Sequence, residues 1–182
     1  MSADALHAVE GLLAVDDEPQ LSGDEFKQVF RRHPAGVAVV TLVEPGTARP
    51  VGFTATSVIS VSAQPPILAF SIASTSSSWP ALRESSTVVV NFLGSSQAEL
   101  SGRFATHGID RFDGTPWAHL ATGEPVLHGS LTWVRGRVLQ RIPVGDSYLV
   151  TVRALSSDVS AAGSPLIYHD RAYRRLGDHY EI

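Results

Sequence analysis

The chain has 182 residues, 43 % of them apolar and 18 % charged, which suffices for one domain with a proper core and falls short of two. Its formal net charge is −4, and no basic run carries interleaved aromatics, which argues against a general nucleic-acid binder. Cysteine is absent, so disulfides, thiolate metal sites and cysteine nucleophiles are excluded.

The N-terminal stretch "MSADALHAVEGLLAVDDEPQ" lacks the basic n-region of a secretory signal. No window approaches the roughly 20 apolar residues that cross a bilayer. The expectation is a soluble cytoplasmic protein, with residues 1–21 as a loose arm and 22–182 as the domain. At "SGDEFKQVFRR", Ser22 and Glu25 have capping-box spacing, and Phe26, Val29 and Phe30 fall on one helical face; the helix should stop before Pro34.

The period then changes. "AGVAVVTLV" (35–43), "GFTATSVISVSA" (52–63) and "PILAFSIAS" (66–74) are strand-like. "SSSWPALRES" (76–85) predicts a short helix with Pro80 in its first turn, and "TVVVNFL" (87–93) a buried strand. "SSQAELSGRFA" (95–105) predicts a helix with a Ser96–Glu99 capping box, and 106–129 a loop. "SLTWVRGRVLQRI" (130–142) and "DSYLVTVRAL" (146–155) form a hairpin across a tight turn. "PLIYHD" (165–170) and "RAYRRL" (171–176) form another short pair. Seven or eight strands joined mostly by turns too short for crossover helices argue for a mainly β, antiparallel barrel with short helices.

A strand over 52–62 has a period of two. Phe53, Ala55, Ser57, Ile59 and Val61 then share one face, and Thr54, Thr56, Val58, Ser60 and Ser62 the other. A water-facing strand that uses Thr for β-propensity is one reading. Against it, no charged residue occurs for 33 residues, from Pro50 to Leu82, where a solvated face normally carries some. The sharper reading is a wall for a polar, uncharged ligand surface such as a heterocycle edge or a polyol chain. The "STSSSW" run (74–79) opens a helix, where N–H groups and hydroxyls seat phosphate or simply cap. Leu131, Trp133, Arg135, Arg137, Leu139 and Arg141 share a strand face, read as a solvated or salt-bridged surface with phosphate or partner binding as the minority reading.

The seven histidines show no HxxxH or HExxH spacing, which speaks against a metal site. No hydrolase elbow, P-loop or dinucleotide fingerprint occurs. A polar ligand wall without an acid–base constellation suits simple binding, or redox chemistry carried by an organic cofactor.

These pieces, in order from Phe26 to Leu176, resemble the short-chain flavin reductase family. The matching runs are "HPAGVAVVTL" (33–42), "GFTATSVISVSAQPPILAFSI" (52–72), "SSSWPALRESSTVVVNFL" (76–93), "QAELSGRFA" (97–105), "GEPVLHGSLTWVRGRV" (123–138), "VGDSYLVTVRAL" (144–155) and "PLIYHDRAYRRL" (165–176). The resemblance implies an FMN-binding split β-barrel that transfers a hydride from NADH or NADPH to FMN or FAD. It implies a homodimer that supplies a partner flavin-dependent monooxygenase. Thr54, Ala55, Thr56 and Ser57 would line the isoalloxazine and ribityl region, and Ser71, Ile72 and Ala73 would run along the flavin. Ser77, Ser78 and Trp79 would lie near its phosphate, and Asn91, Arg103, Phe104 and Ala105 would make further contacts. No catalytic side chain is implied, because the cofactors carry the hydride.

One departure stands out. Many members carry Gly-Asp-His, with the His near the nicotinamide, where this chain has Gly145-Asp146-Ser147. Ser147 supplies no imidazole, so His169 and Arg171 join it as nicotinamide-site candidates. Thr56 stands where some members carry Asn. A flavin carrier or sensor without nicotinamide activity, and an oxidase resembling the pyridoxamine-phosphate oxidases, are the alternatives.

Overall fold

A computed structural model describes residues 19–176; most of the N-terminal arm expected over 1–21 lies outside them. Among the described residues there are three short helices and twelve strands. In chain order they are α1 (Gly23–Arg31), β1 (Ala35–Gly36), β2 (Ala38–Val43), β3 (Pro50–Ala55), β4 (Ile59–Ala63), β5 (Pro66–Ala73), α2 (Trp79–Glu84), β6 (Thr87–Phe92), α3 (Ala98–Ala105), β7 (Trp117–His119), β8 (Pro125–Leu127), β9 (Thr132–Val144), β10 (Ser147–Asp158), β11 (Leu166–His169) and β12 (Ala172–Arg175). Every named strand pair is antiparallel. The main sheet runs β3-β2-β6-β9-β10-β5-β4, flanked by the sheet β1-β11-β12 and the hairpin β7-β8. The mainly β antiparallel expectation therefore holds.

The main sheet curls around one core. Phe53 on β3 and Phe70 on β5 meet with ring centroids 5.9 Å apart, although four strands separate β3 from β5 in the sheet order. Val40, Leu42, Val88, Val90, Val150 and Val152 fill the space between them. Each such valine or leucine contributes about 1.5–3 kcal/mol by leaving water. Helix α2 closes an end of this core: Trp79 stacks on Tyr148 at 3.7 Å, and Ala81 and Leu82 are buried beside it. Strand β2 is covered on both faces, which explains its unbroken apolar run. Ala38, Val40 and Leu42 enter the main core, whereas Val37 and Val39 join a second one with Phe104, Phe112 and Leu166.

Most elements fall where the sequence placed them, and the exceptions have identifiable causes. The α1 capping box forms: Glu25 N–H donates to Ser22 Oγ (3.3 Å) and Ser22 N–H to Glu25 Oε2 (2.9 Å). Its apolar stripe is not buried, however; Phe26 and Phe30 are 54 % and 55 % exposed. The Ser96–Glu99 box does not form. Gln97 takes the N-cap position of α3 without a side-chain cap; its amide instead accepts from Gly94 N–H (2.9 Å) and donates to the His128 carbonyl (3.0 Å).

The run 52–62 is not one strand. It breaks at residues 56–58, so Ile59 and Val61 leave the face of Phe53 and lie exposed on the edge strand β4. Segment 106–129, expected as loop, contains the β7-β8 hairpin. The arginine face on β9 is split: the register shift against β10 between Val138 and Gln140 takes Arg141 off it, whereas Arg135 and Arg137 remain on the side opposite the core-packed Val134 and Val138. Arg135 pairs there with Glu124 (2.8 Å), as expected of a salt-bridged face. Arg141 donates to the carbonyls of Leu82 (3.0 Å) and Ser85, finishing the last turn of α2. Arg137 alone of the three stays exposed. At the same crossing only glycine fits position 136, where a Cβ would lie 2.3 Å from Val152 Cγ1.

Candidate functional site

Three segments enclose a long groove: β3 with the residues before it, the end of β5 with the connection to α2, and the end of α3 with the loop that follows. From one lobe to the next the β5–α2 and α3-loop walls advance in sequence, while the antiparallel β3 wall runs back. One lobe, of about 320 Å³, is lined by Thr54, Ser71, Ala73, Thr75, Ser76 and His107, with Phe53, Ile72, Phe104 and Ala105 as its apolar surface. The other, of about 410 Å³, is lined by Arg49 to Gly52, Ser77, Ser78 and Gly108 to Phe112. Arg111 lines both lobes and marks the waist between them.

The walls are fixed by hydrogen bonds that the strand ladder does not supply. Where β4 stops pairing with β5, Ser57 takes over: its Oγ accepts from Ser71 N–H (2.9 Å) and lies 3.0 Å from Ser71 Oγ. Thr54 Oγ donates to the Ser101 carbonyl (2.6 Å), tying β3 to α3. Gly52 sits under Phe104, and a Cβ there would be 2.7 Å from its ring. Close approach thus demands glycine, and leaves the Gly52 carbonyl free to accept from Ser78 Oγ (3.1 Å) and Arg111 Nη1 (2.7 Å).

Arg111 is the main electrostatic feature. Its Nε donates to the Thr106 carbonyl (2.9 Å), Nη1 to Ser78 Oγ (3.0 Å) and Nη2 to Ser77 Oγ (3.4 Å). Burial pushes its pKa below the ordinary arginine value, yet guanidinium stays charged at neutral pH. Every one of these partners is neutral, and no carboxylate among the described residues pairs with it. A partly buried cation without a counter-charge is costly unless an anion joins it.

The sequence-derived candidates divide accordingly. Thr54, Ser71, Ile72, Ala73, Phe104 and Ala105 line the first lobe, and Ser77 and Ser78 the second. Thr56 and Ser57 stand at the strand break beside the groove. Ala55 and Trp79 do not line it; both belong to the main core. Asn91 is likewise placed elsewhere, at 0 % exposure. Its amide donates to the Val39 carbonyl (3.0 Å) and Thr41 Oγ (3.1 Å) and accepts from Leu127 N–H (2.9 Å), stitching β6 to β2 and β8. Arg103 points its guanidinium at backbone carbonyls of the neighbouring loop: Arg111 (3.0 Å), Asp110 (3.1 Å) and Asp113. It shapes the loop that carries Arg111 and does not itself line the groove.

Ser147 lies at the groove's rim: it pairs in register with Ala73, and the Asp146 carbonyl accepts from Ser74 N–H (2.9 Å). His169 and Arg171 are not brought there. Strand β11 pairs with β1, outside the main sheet, and its turn rests on the end of α1 through Asp170 N–H to the Arg31 carbonyl (3.0 Å). His169 therefore borders a separate depression with Arg31 and Arg32. Sequence reasoning missed His107, Asp110 and Arg111. The signal was the pair Asp110–Arg111 ahead of Phe112 in a segment otherwise rich in Gly, His and Pro.

A hydroxyl-lined groove with an unneutralised guanidinium at its waist is set in a curled antiparallel sheet, a donor set whose chemistry suits a neutral polar surface joined to an anion. Residues 30–177 match the family model of the flavin reductase like domain, and the chain belongs to that family. A protein named NADH:FMN oxidoreductase from Rhodococcus qingshengii is 48 % identical over 179 residues, covering 93 % of this chain and 92 % of its own. The reductase subunit of a flavin-dependent monooxygenase from Mycobacterium tuberculosis is 30 % identical over 156 residues, covering 85 % and 82 %. The crystal structure of a flavin reductase domain protein from Arthrobacter sp. FB24 matches with a TM-score of 0.81 at 40 % identity, over 88 % of this chain and 100 % of that one.

Proposed function

We propose that this chain is a flavin reductase that uses NADH or NADPH to reduce FMN or FAD. The observation that carries the reading is Arg111, a partly buried cation with neutral partners only, at the end of a hydroxyl-lined lobe. FMN has the matching parts: an uncharged ring edge and polyol rich in donors and acceptors, then a phosphate. Guanidinium with flanking hydroxyls is a fitting donor set for that phosphate. Thr54, Ser71, Thr75 and Ser76 supply neutral hydroxyls for the ring and polyol, and Ile72, Ala73, Phe104 and Ala105 the apolar contact.

A flavin held by these residues would supply the hydride acceptor and a reduced nicotinamide the hydride, so the redox chemistry would be the cofactors' own. The protein holds the ligand in register and excludes water, which is the positioning part of catalysis. The Ser147 turn, beside Ala73, is the proposed approach of the nicotinamide. The high similarity to a named NADH:FMN oxidoreductase supports this assignment. Purified protein with saturating flavin should oxidise NADH or NADPH, followed as loss of the reduced-nicotinamide absorbance; no turnover with either donor removes the proposal.

One observation favours a second reading, a flavin carrier. Ser147 Oγ donates to Asp146 Oδ1 (2.8 Å), so its hydroxyl is already engaged within the turn. Tight flavin binding without hydride transfer selects that reading.

We further propose a cytoplasmic homodimer that delivers reduced flavin to a monooxygenase. The exposed stripe of Phe26, Val29 and Phe30 on α1, and Ile59 and Val61 on the edge strand β4, support self-association. The relative that is a monooxygenase reductase subunit supports the partner. Light scattering on the purified chain tests the first, and flavin transfer to an oxygenase tests the second.

A further inference from the structure

Helix α1 has one apolar face and yet no buried residue. Phe26, Val29 and Phe30 are each more than half exposed. A short helix draws most of its stability from what its apolar face packs on, so this face calls for a cover. The end of the same helix meets a cluster of cations. Arg31 and Arg32 border a depression of about 300 Å³ with His169 and Asp170, and the β11-β12 turn is fixed there by Asp170 N–H to the Arg31 carbonyl (3.0 Å). Arg171 follows in that turn, and the register of β11 with β12 puts Arg174 on the same face as His169. None of these arginines pairs with a carboxylate among the described residues. Gathered like charges repel unless acidic groups join them.

Residues 1–18, outside the described part of the chain, have the complementary chemistry. They hold Asp4, Glu10, Asp16, Asp17 and Glu18 and neither lysine nor arginine. Their apolar residues Leu6, Val9 and Leu13 recur at i, i+3 and i+7. Helix α1 has nine residues, a length of about 14 Å, whereas residues 1–18 span about 27 Å even at a helical rise. The segment is long enough to turn at 19–22 and run back over the helix to the hairpin. We infer that residues 1–18 dock on α1 and the β11-β12 turn of their own chain, with Leu6, Val9 and Leu13 over the apolar stripe and Asp4 and Glu10 against the arginines. A second copy is the other cover for the stripe. The acids its α1 would bring are already engaged, Asp24 by Lys27 (3.2 Å) and Glu25 by Ser22 (2.9 Å), and it would add the same uncompensated arginines. Tethering favours the arm as well, since its effective concentration beside α1 is on the order of millimolar. The proposed self-association then falls to the edge strand β4. The inference is independent of what the groove binds.

The chain has no cysteine, so an introduced pair reports alone. Val9→Cys with Val29→Cys, in the full chain, is treated with a short bifunctional maleimide and weighed under denaturing conditions. We expect a cross-link within one chain. Adding Arg171→Glu and Arg174→Glu, both at exposed positions, should slow it about tenfold, as for reversal of two surface charge contacts. Adding Asp4→Arg and Glu10→Arg to those should restore it. Amide hydrogen exchange of α1, in chains without the cysteines, should quicken and recover with the same two steps. A cross-link that joins two chains assigns the stripe to a second copy and overturns the inference. Absence of any cross-link overturns it too. So does a cross-link within one chain whose rate ignores the charge reversal, because a tether that merely collides with α1 behaves that way.

Discussion

Arg111 Nη1 lies 3.0 Å from Ser78 Oγ, and both groups donate to the carbonyl of Gly52. This arrangement couples the wall before α2 to the loop after α3 through one backbone oxygen on β3. It also leaves the guanidinium charge unneutralised in the groove. If an anion completes the site, Arg111→Ala should weaken FMN binding by about 10- to 100-fold, the range of a charge-assisted hydrogen bond. Riboflavin, which lacks the phosphate, should lose much less. The measurement is fluorescence quenching by the two flavins side by side; an equal loss for both would place the phosphate elsewhere.

Arg103 acts at one remove. Its guanidinium gathers the carbonyls of Asp110, Arg111 and Asp113, and so sets where Arg111 stands. Arg103→Met should keep the fold, because the strands and core make no use of this side chain. The loop over 106–113 should exchange its amide hydrogens faster, and FMN and riboflavin should lose affinity together, by about tenfold. A loss confined to FMN would mean that Arg103 contacts the phosphate directly.

The walls of the groove were legible in the sequence only in part. Thr54, Ser71 and Ser78 stood out because a stretch without charges and rich in hydroxyls is unusual on a solvated surface. The break at residues 56–58 was not legible, since β-propensity and alternation run straight through "TATSVISVS". Only the Ser57–Ser71 bonds, across 14 residues, show that a side chain replaces the ladder. Asn91 was misplaced for a related reason. A polar residue in a strand can face a ligand or satisfy buried backbone, and the second role depends on β8, a strand too short to read from its sequence. Arg111 was missed because its partners come from segments 33 to 59 residues away.

Glu124 and Arg135 predict acid sensitivity. The carboxylate accepts from Arg135 Nε (2.9 Å) and Nη2 (2.8 Å), and the two side chains are 5 % and 16 % exposed. Burial alone would push the Glu124 carboxyl up, but hydrogen bonds from Arg135, Thr122 and Thr87 outweigh it and hold the pKa at about 2, below the ordinary 4.5. A carboxyl lowered on folding stabilises the protein fully above the unfolded value. That contribution is lost as pH falls from about 4.5 to about 2, and amounts to roughly 3 kcal/mol. Glu124→Gln should remove this part of the acid dependence, and at neutral pH cost about 3–5 kcal/mol by stranding Arg135. Glu124→Leu with Arg135→Met should recover most of the loss. Denaturant unfolding across this pH range checks all three.

Ser147 offers the sharpest functional change. It opens β10 directly opposite Ala73, a groove residue, and the turn before it is held by Ser74 N–H to the Asp146 carbonyl. The Ser147 hydroxyl is bound to Asp146 Oδ1, so the rim presents no cation there. The turn backbone owes nothing to this side chain, since Gly145 provides the positive φ of 58°. Ser147→His should therefore fold normally and place an imidazole at the rim. If the nicotinamide approaches past this turn, the variant should lower the KM for NADH by about three- to tenfold, with little change in kcat, because uniform binding is what a rim contact adds. The effect should fade as pH rises through the imidazole range, near 6.5 for an unperturbed histidine. An unchanged KM at every pH, with flavin binding intact, would show that the nicotinamide approaches from another side.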